Sequence, residues 1–330
     1  MMRKEEKMSS YNCITDVDGI IVGQVSDLKN MTGCTVILCP DGATCGVDIR
    51  GGAPGSRECC LLNPLMSNNQ VHAVFISGGS AYGLSVGDGA MKFLEERNFG
   101  FDTSYGRVPI IPGAVLFDLS LRNSTVRPDK DMGYLACTNA KTGKIEEGNK
   151  GAGTGATVGK ALGIDKCMKG GIGSASISLK NGITAGAIVA VNSFGDIRDP
   201  KTKTILAGPL MNNKPQDTLK VMLEQQDMSY SFHMDNTTIA VIATNAKLTK
   251  SECTKVAQMA SNGLSNTIYP YGTTLDGDTI FVLSNGNLTC DINLLGVLAG
   301  EVLAAAAING IQSAETVDDV KSYKDIFGVK

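Results

Sequence analysis

Histidine is nearly missing from this chain: only His72 and His233 occur among 330 residues, and there is no tryptophan. Two imidazoles leave little scope for a histidine general base or a Ser–His–Asp arrangement. Zinc is not expected, because the ten cysteines are scattered and no pair has C-x-x-C spacing. With no export signal, that pattern points to buried reduced thiols rather than a disulfide framework. Aromatic residues make up 5% and the net charge is −3, so the basic footprint and stacking platforms of nucleic-acid binders are both wanting. The N-terminal stretch from Met1 to Met8 is charged and lacks the apolar core of a signal peptide. The most apolar run, Ile292 to Ile308, is interrupted by Glu301 and reads as a buried helix rather than a membrane span. The expectation is a cytoplasmic protein that needs no metal or other cofactor and engages neither nucleic acid nor membrane.

What is present is the material for a large core, with 42% hydrophobic and 19% charged residues. Thr35 to Cys39 reads as a strand closed by a Pro40-Asp41-Gly42 turn, with Thr44 to Ile49 returning as a hairpin. Val71 to Ile76 is a short apolar strand, turned by Gly78 to Gly83 into a helix from about Leu84 to Glu96. Val108 to Asp118 carries two prolines and suits a strand at an edge or rim. Two further strands flank Lys180-Asn181-Gly182, whose Asn-Gly pair favours a tight turn. Asp199 to Asn236 is polar, contains Pro200, Pro209 and Pro215, and reads as a linker. Beyond it come an alternating strand from Thr237, a helix opened by the Thr249/Glu252 capping box, a strand over Gly277 to Ser284 and a helix near Asn293 to Ile311. Hairpins, helices between them and apolar covering helices together suggest a layered α/β sandwich with helices outside.

The 39 glycines gather in clusters, and the obvious chemical readings of those clusters fail. A phosphate loop ending at Gly159-Lys160 needs glycine at position 154 and Ser or Thr at 161, where Thr154 and Ala161 stand. Gly151-Ala152-Gly153-Thr154-Gly155-Ala156 matches a relaxed dinucleotide pattern without the βαβ context that gives it meaning. Gly78-Gly79-Ser80 resembles a nucleophile elbow, but the second glycine is replaced by Tyr82. The junction Asn236-Thr237 offers a chemistry that needs no histidine. If the chain cut itself there, Thr237 would gain a free α-amine, with a pKa of about 7.7–8.0, to serve as base for its own hydroxyl. The residues alone favour an ordinary strand beginning Thr237-Thr238 over that chemistry, and Thr238 is the neighbouring candidate for a new terminus.

Four stretches in order settle the choice by resemblance. They are Arg50-Gly51-Gly52-Ala53-Pro54-Gly55-Ser56-Arg57-Glu58, Ser77-Gly78-Gly79-Ser80-Ala81-Tyr82-Gly83-Leu84, Gly151 to Lys160, and Asn236-Thr237-Thr238 followed by Thr244-Asn245-Ala246. On these the chain resembles, over nearly its whole length, the P1 family of DmpA-like aminopeptidases (peptidase family S58), which also contains the nylon-oligomer hydrolases. The resemblance implies a four-layer αββα sandwich of the Ntn-hydrolase-like, ornithine-acetyltransferase-like type. It implies self-cleavage into an α-subunit, 1–236, and a β-subunit, 237–330, that stay together within one domain, and a homo-oligomer, a tetramer. Thr237 falls on the family's nucleophile and Lys160 on a lysine placed beside it. Asn192 matches a donor to the tetrahedral oxyanion, and Asp276 with Asp278 match an acidic pair that orients the threonine. Tyr82 and Phe117 would line the substrate pocket. Asp276 agrees with the nylon-oligomer hydrolases and not with the Ser-type aminopeptidases.

The expected activity is hydrolysis of amide bonds in short peptides or related amides, through an acyl-enzyme on Thr237. Two alternatives remain from sequence: a transacylase of the ornithine acetyltransferase type, and an unprocessed homologue without catalysis.

Overall fold

The structure is a computed structural model and describes residues 10–225 and 236–329. Its organising strand is β2 (Thr32–Ile49), longer than any other. One end of β2 pairs with β1 (Ile21–Asp27) and, through Cys34 to Leu38, with β4 (Val71–Ser77). The other end pairs, through Thr44 to Ile49, with β9 (Thr279–Leu288). Between them the register breaks at Leu38/Ala43, where Gly42 takes a φ of +93°. The expected hairpin at Pro40-Asp41-Gly42 is therefore a bend within one strand. Proline, which lacks a ladder donor, and a left-handed glycine let the strand leave one sheet and enter the other without reversing.

One hydrogen-bonded path thus runs through two layers. The first layer holds β1, β3 (Gly55–Arg57), β4, β5 (Gly113–Val115) and the start of β2. The second holds the end of β2, β9, β8 (Thr237–Ala246), β7 (Thr184–Asn192) and β6 (Gly171–Ser178). The stretch expected as an edge strand over Val108 to Asp118 narrows to β5, which lies between β4 and β3. The hairpin at Lys180–Gly182 is present between β6 and β7, with Gly182 at φ +87°.

Alternation along the strands explains the layering. Ile239, Val241 and Ala243 of β8 and Phe281 and Leu283 of β9 meet Ile37, Val74 and Ile76 in a core between the two sheets. Their neighbours Ala240, Ile242, Ile280 and Val282 face a second core under α4 (Lys250–Thr267) and α5 (Ile292–Ser313). On the far side Val36, Leu38 and Phe75 pack beneath α1 (Val86–Glu95) and α2 (Lys130–Thr138). Period-2 side-chain alternation and one-sided helices give three interfaces, hence four layers in αββα order. The capping box of Thr249 and Glu252 opens α4 as read. Helix α5 is apolar enough for a membrane span, yet its small residues are spent against β6, β7 and α4.

The polar stretch read as a linker is folded as far as Gln225. It carries the short strand Ile205–Ala207, which pairs with Asp196–Arg198 just before the stretch, and the helix α3 (Thr218–Glu224). Its polar groups pair with those just before it: buried Asp196 accepts from Thr218 N at 2.7 Å, and Arg198 bridges Asp196 and Asp217. Composition alone does not separate such pairing from solvation. The last part of that stretch, 226–235, and His233 with it, lie outside the described residues.

Candidate active site

Strands β8 and β9 run parallel, and both begin at the same end of the sheet. At that end Thr237, the first residue of β8, stands opposite Asn192, the last residue of β7. Both are buried. The residues before β9, Asp276-Gly277-Asp278, turn directly beside Asn236, with which Asp276 forms a parallel bridge.

The carbonyl of Asn236 is held from two sides. Gly277 N donates to it at 2.9 Å, and the hydroxyl of Thr237 donates to it as well. Glycine is required at 277 by space: a Cβ there would lie 2.9 Å from Thr237 Oγ1 and 2.8 Å from the Ala53 carbonyl. The Arg50–Glu58 loop wraps the same turn, since Ala53 N reaches the Asp276 carbonyl at 3.0 Å and Arg50 N the Asp278 carbonyl at 2.9 Å. This is the structural use of that glycine-rich motif. Its main chain shapes the acidic turn.

The two carboxylates are almost fully buried and bonded to main chain. Asp278 accepts from Thr238 N at 2.6 Å and Gly272 N at 2.9 Å. Asp276 accepts from Phe194 N at 3.2 Å and from the Thr273 hydroxyl. Burial pushes Asp278 well above the usual carboxylate range, and the negative charge of Asp276 adds to it. Asp276 is raised too, chiefly by burial, while its bonds to Thr273 and Phe194 and the charge of Lys160 oppose the rise.

The second glycine cluster grips Asn192. Thr157 N donates to Asn192 Oδ1 at 3.0 Å, and Lys160 Nζ donates to the same oxygen at 3.0 Å. On the other side Asn192 Nδ2 donates to the Phe117 carbonyl at 3.0 Å. Thr237, Asn236, Lys160, Asn192, Asp276 and Asp278 are thus brought together, and Phe117 joins them through its main chain. Tyr82 shares no hydrogen bond with that cluster among the described residues. It is exposed on the Ser80–Ser85 turn, beneath the Arg127 guanidinium at 3.5 Å. Ser80 lies on the same turn at φ +53°.

Gly277 N–H is the group that residue-by-residue reading of the sequence overlooks. The asparagine amide matched to the oxyanion donates to Phe117, while a main-chain donor faces the Asn236 carbonyl. An Asp-Gly-Asp sequence signals a turn and carries no sign of where its N–H points. A hydroxyl against the preceding carbonyl, with a fixed donor on the carbonyl oxygen, is an arrangement suited to N→O acyl transfer.

The model of peptidase family S58 matches residues 12–324. A protein of Mycobacterium leprae named as an uncharacterized aminopeptidase is 39% identical, over 96% of this chain and 94% of its own. A 6-aminohexanoate-oligomer endohydrolase of Agromyces is 30% identical, over 89% of this chain and 84% of its own. Among solved structures, the L-aminopeptidase D-Ala-esterase/amidase of Ochrobactrum anthropi, described as a new variant among the Ntn-hydrolase fold, matches with a TM-score of 0.71. That match covers 97% of this chain and 94% of the other at 18% identity, and it agrees with the layered fold expected from the sequence.

Proposed function

The chain belongs to peptidase family S58 and is a hydrolase of peptide or other amide bonds, and from that premise we propose that it matures by cutting itself between Asn236 and Thr237. The observation that carries the proposal is the Asn236 carbonyl, set between the Thr237 hydroxyl and the Gly277 N–H. Thr237 Oγ1 adds to that carbonyl carbon while Gly277 N–H steadies the oxyanion. The peptide C–N bond then breaks, the nitrogen leaves as an amine with the proton, and an ester joins Asn236 to Thr237. Water hydrolyses the ester, leaving an Asn236 carboxylate and a Thr237 with both hydroxyl and α-amine free.

In turnover the α-amine takes the proton from Thr237 Oγ1, which attacks the substrate carbonyl. The amine passes the proton to the leaving nitrogen, and water releases the acyl group. Lys160, fixed on Asn192 Oδ1, places a positive charge that lowers the amine's affinity for protons and keeps it a base. Asp276 and Asp278 hold the turn that aims Gly277 N–H, and Asp278 also fixes Thr238 N beside the nucleophile. Asn192 fixes the end of β7 opposite the nucleophile and is placed to assist the oxyanion. A preorganised donor of this kind contributes about 10²–10³ in rate.

The cut leaves the two fragments interleaved. The C-terminal fragment supplies β8 and β9, and these lie between β7 and β2 of the N-terminal fragment. Their separation would open the second sheet and two of the three cores. Short peptides or related amides are the proposed substrates, in keeping with the aminopeptidase and oligomer-hydrolase names of the relatives and with a nucleophile only 5% exposed. Denaturing mass spectrometry of wild type and Thr237→Ala tests the reading. Wild type should give a fragment beginning at Thr237 and the variant a single intact chain. A cut at another bond, or a variant that still splits, would remove Thr237 from its role.

A further inference from the structure

Two lysines are buried with their ammonium groups on three main-chain carbonyls each. Lys250 Nζ donates to Leu61, Met66 and Asn68 carbonyls at 2.9, 3.0 and 2.9 Å, tying a surface loop to α4. Lys169 Nζ donates to Gly153, Ala156 and Gly170 carbonyls at 3.1, 2.7 and 2.9 Å, within the glycine cluster beside the active site. The proposed reaction assigns neither a part.

Their surroundings differ in what they touch next. Lys169 is fully buried on the short strand Met168–Lys169, which pairs with Thr157–Val158. Ala156, whose carbonyl it binds most closely, precedes Thr157, whose N–H orients Asn192 Oδ1. Three residues on, Lys160 donates to the same oxygen. The opposite side of the loop abuts Asp118: a Cβ on Gly155 would lie 2.6 Å from Asp118 Cβ. Asp118 is itself fixed by Thr32 Oγ1 and Gly79 N, each at 2.7 Å, and follows Phe117, whose carbonyl takes Asn192 Nδ2. Both hands on the Asn192 amide therefore trace back to a buried ionisable group, Lys169 on one side and Asp118 on the other.

We propose that Lys169 is a positioning residue for the amide-hydrolysing site: its ammonium clamps the 153–156 main chain so that Thr157 and Lys160 hold Asn192 opposite Thr237. The clamp needs all three N–H groups. A neutral amine has two, and its lone pair would face the third carbonyl. Burial lowers the Lys169 pKa to about 7, with Cys167 and Asp118 acting to raise it and Lys160 to lower it further. Of these, the Cys167 thiol is pushed up to about 11 by burial and stays neutral through this range. Asp118, raised to about 6 by burial, is ionised above it. Loosening the clamp misaligns the reacting groups without removing them, so the loss belongs in kcat rather than KM.

The test compares Lys169→Met with Lys250→Met, which empties a similar cage at a distance from the site. The readouts are kcat and KM on the amino-acid 4-nitroanilide that wild type turns over fastest, and the first-order rate of release of the Thr237 fragment. Lys169→Met is expected to lower kcat at least fivefold with KM within twofold, and to slow self-cleavage. Lys250→Met protein, assayed below its Tm, is expected to keep both within twofold. A kcat loss below fivefold in Lys169→Met, or a loss carried by KM, overturns the assignment. If that variant yields no folded protein, Lys169→Gln, which keeps two N–H donors for three carbonyls, decides by the same criteria: a kcat loss of at least fivefold with KM within twofold supports the clamp, and a smaller loss overturns it. The inference rests on the Thr237 reading, which fails separately if wild type neither cuts itself nor hydrolyses the nitroanilides.

Discussion

Within β8, Thr237 and Thr238 lie among hydrogen-bonded carbonyls, carboxylates and amides, whereas Ile239 to Ala243 bury only hydrocarbon. Strand alternation continues unbroken through both parts. Thr237 shares a face with Ile239 and Val241, which look into the core between the sheets, and Thr238 shares one with Ala240, which looks toward α4 and α5. The proposed nucleophile therefore stands where the inter-sheet core runs out. Loops from the other layer, carrying Ala53 and Phe117, close over it there. The rigid part of the strand holds the reactive part still, and the exchange of side-chain chemistry occurs within two residues.

The largest effect should come from the polar end. Thr237→Ala is expected to abolish self-cleavage and to lower amide hydrolysis by at least about 10³-fold, with Tm little changed, by mass spectrometry, kinetics and thermal unfolding. Thr237→Ser should retain both activities. The apolar part predicts the reverse pattern. Phe281→Ala, in the neighbouring strand, should cost about 3–5 kcal/mol in chemical denaturation, while the folded fraction keeps its kcat. Gly277→Ala falls between the two. Its Cβ meets Thr237 Oγ1 and displaces the donor, so self-cleavage should slow by about 10²–10³-fold. If Gly277→Ala cuts at the wild-type rate, another group serves the oxyanion.

The same boundary separates what the sequence discloses from what it hides. Period-2 hydrophobicity made β8 and β9 legible, the Thr249/Glu252 spacing marked the start of α4, and Asn181-Gly182 marked the hairpin. These are local signals. The bend of β2 was not legible, because Pro-Asp-Gly serves a reversal or a crossing equally well and only the partners β4 and β9 decide. The folded stretch after Asp199 was hidden because its Asp217 and Thr218 are satisfied by Arg198 and Asp196, which come before it in the chain. At the site, Lys160, Asn192, Asp276 and Asp278 became visible through resemblance, and the structure brings them into contact. Gly277 and Lys169 act through main-chain N–H and C=O groups, which every residue has and no sequence distinguishes.

The acidic turn gives a smaller, pH-dependent test. Burial and the charge of Asp276 raise the folded-state pKa of Asp278 above its unfolded value. The native state then holds a proton that the unfolded chain releases, so this group's contribution is full below the unfolded pKa and is lost as pH rises through the folded one. Asp278→Asn removes that loss. Its Tm should decline less than wild type between pH 4 and pH 8, although its activity falls. Equal slopes of Tm against pH in the two proteins would show that Asp278 ionises without cost.

The smallest effect concerns a hydroxyl on the apolar side of the boundary. Tyr271 packs against the core beneath α4, and its buried hydroxyl has no hydrogen-bond partner among the described residues, although Asp278, Asp48 and Asp276 lie near enough to raise its pKa beyond what burial does. A buried unpaired donor costs stability, and its removal without change of shape releases that cost. Tyr271→Phe should therefore stabilise the protein by about 0.5–1 kcal/mol and leave kcat within twofold. A tenfold fall in kcat, with Tm unchanged, would mean that the hydroxyl assists the acidic pair during turnover. The polar end of the site would then reach one layer deeper, past Thr238 and into the packing under α4.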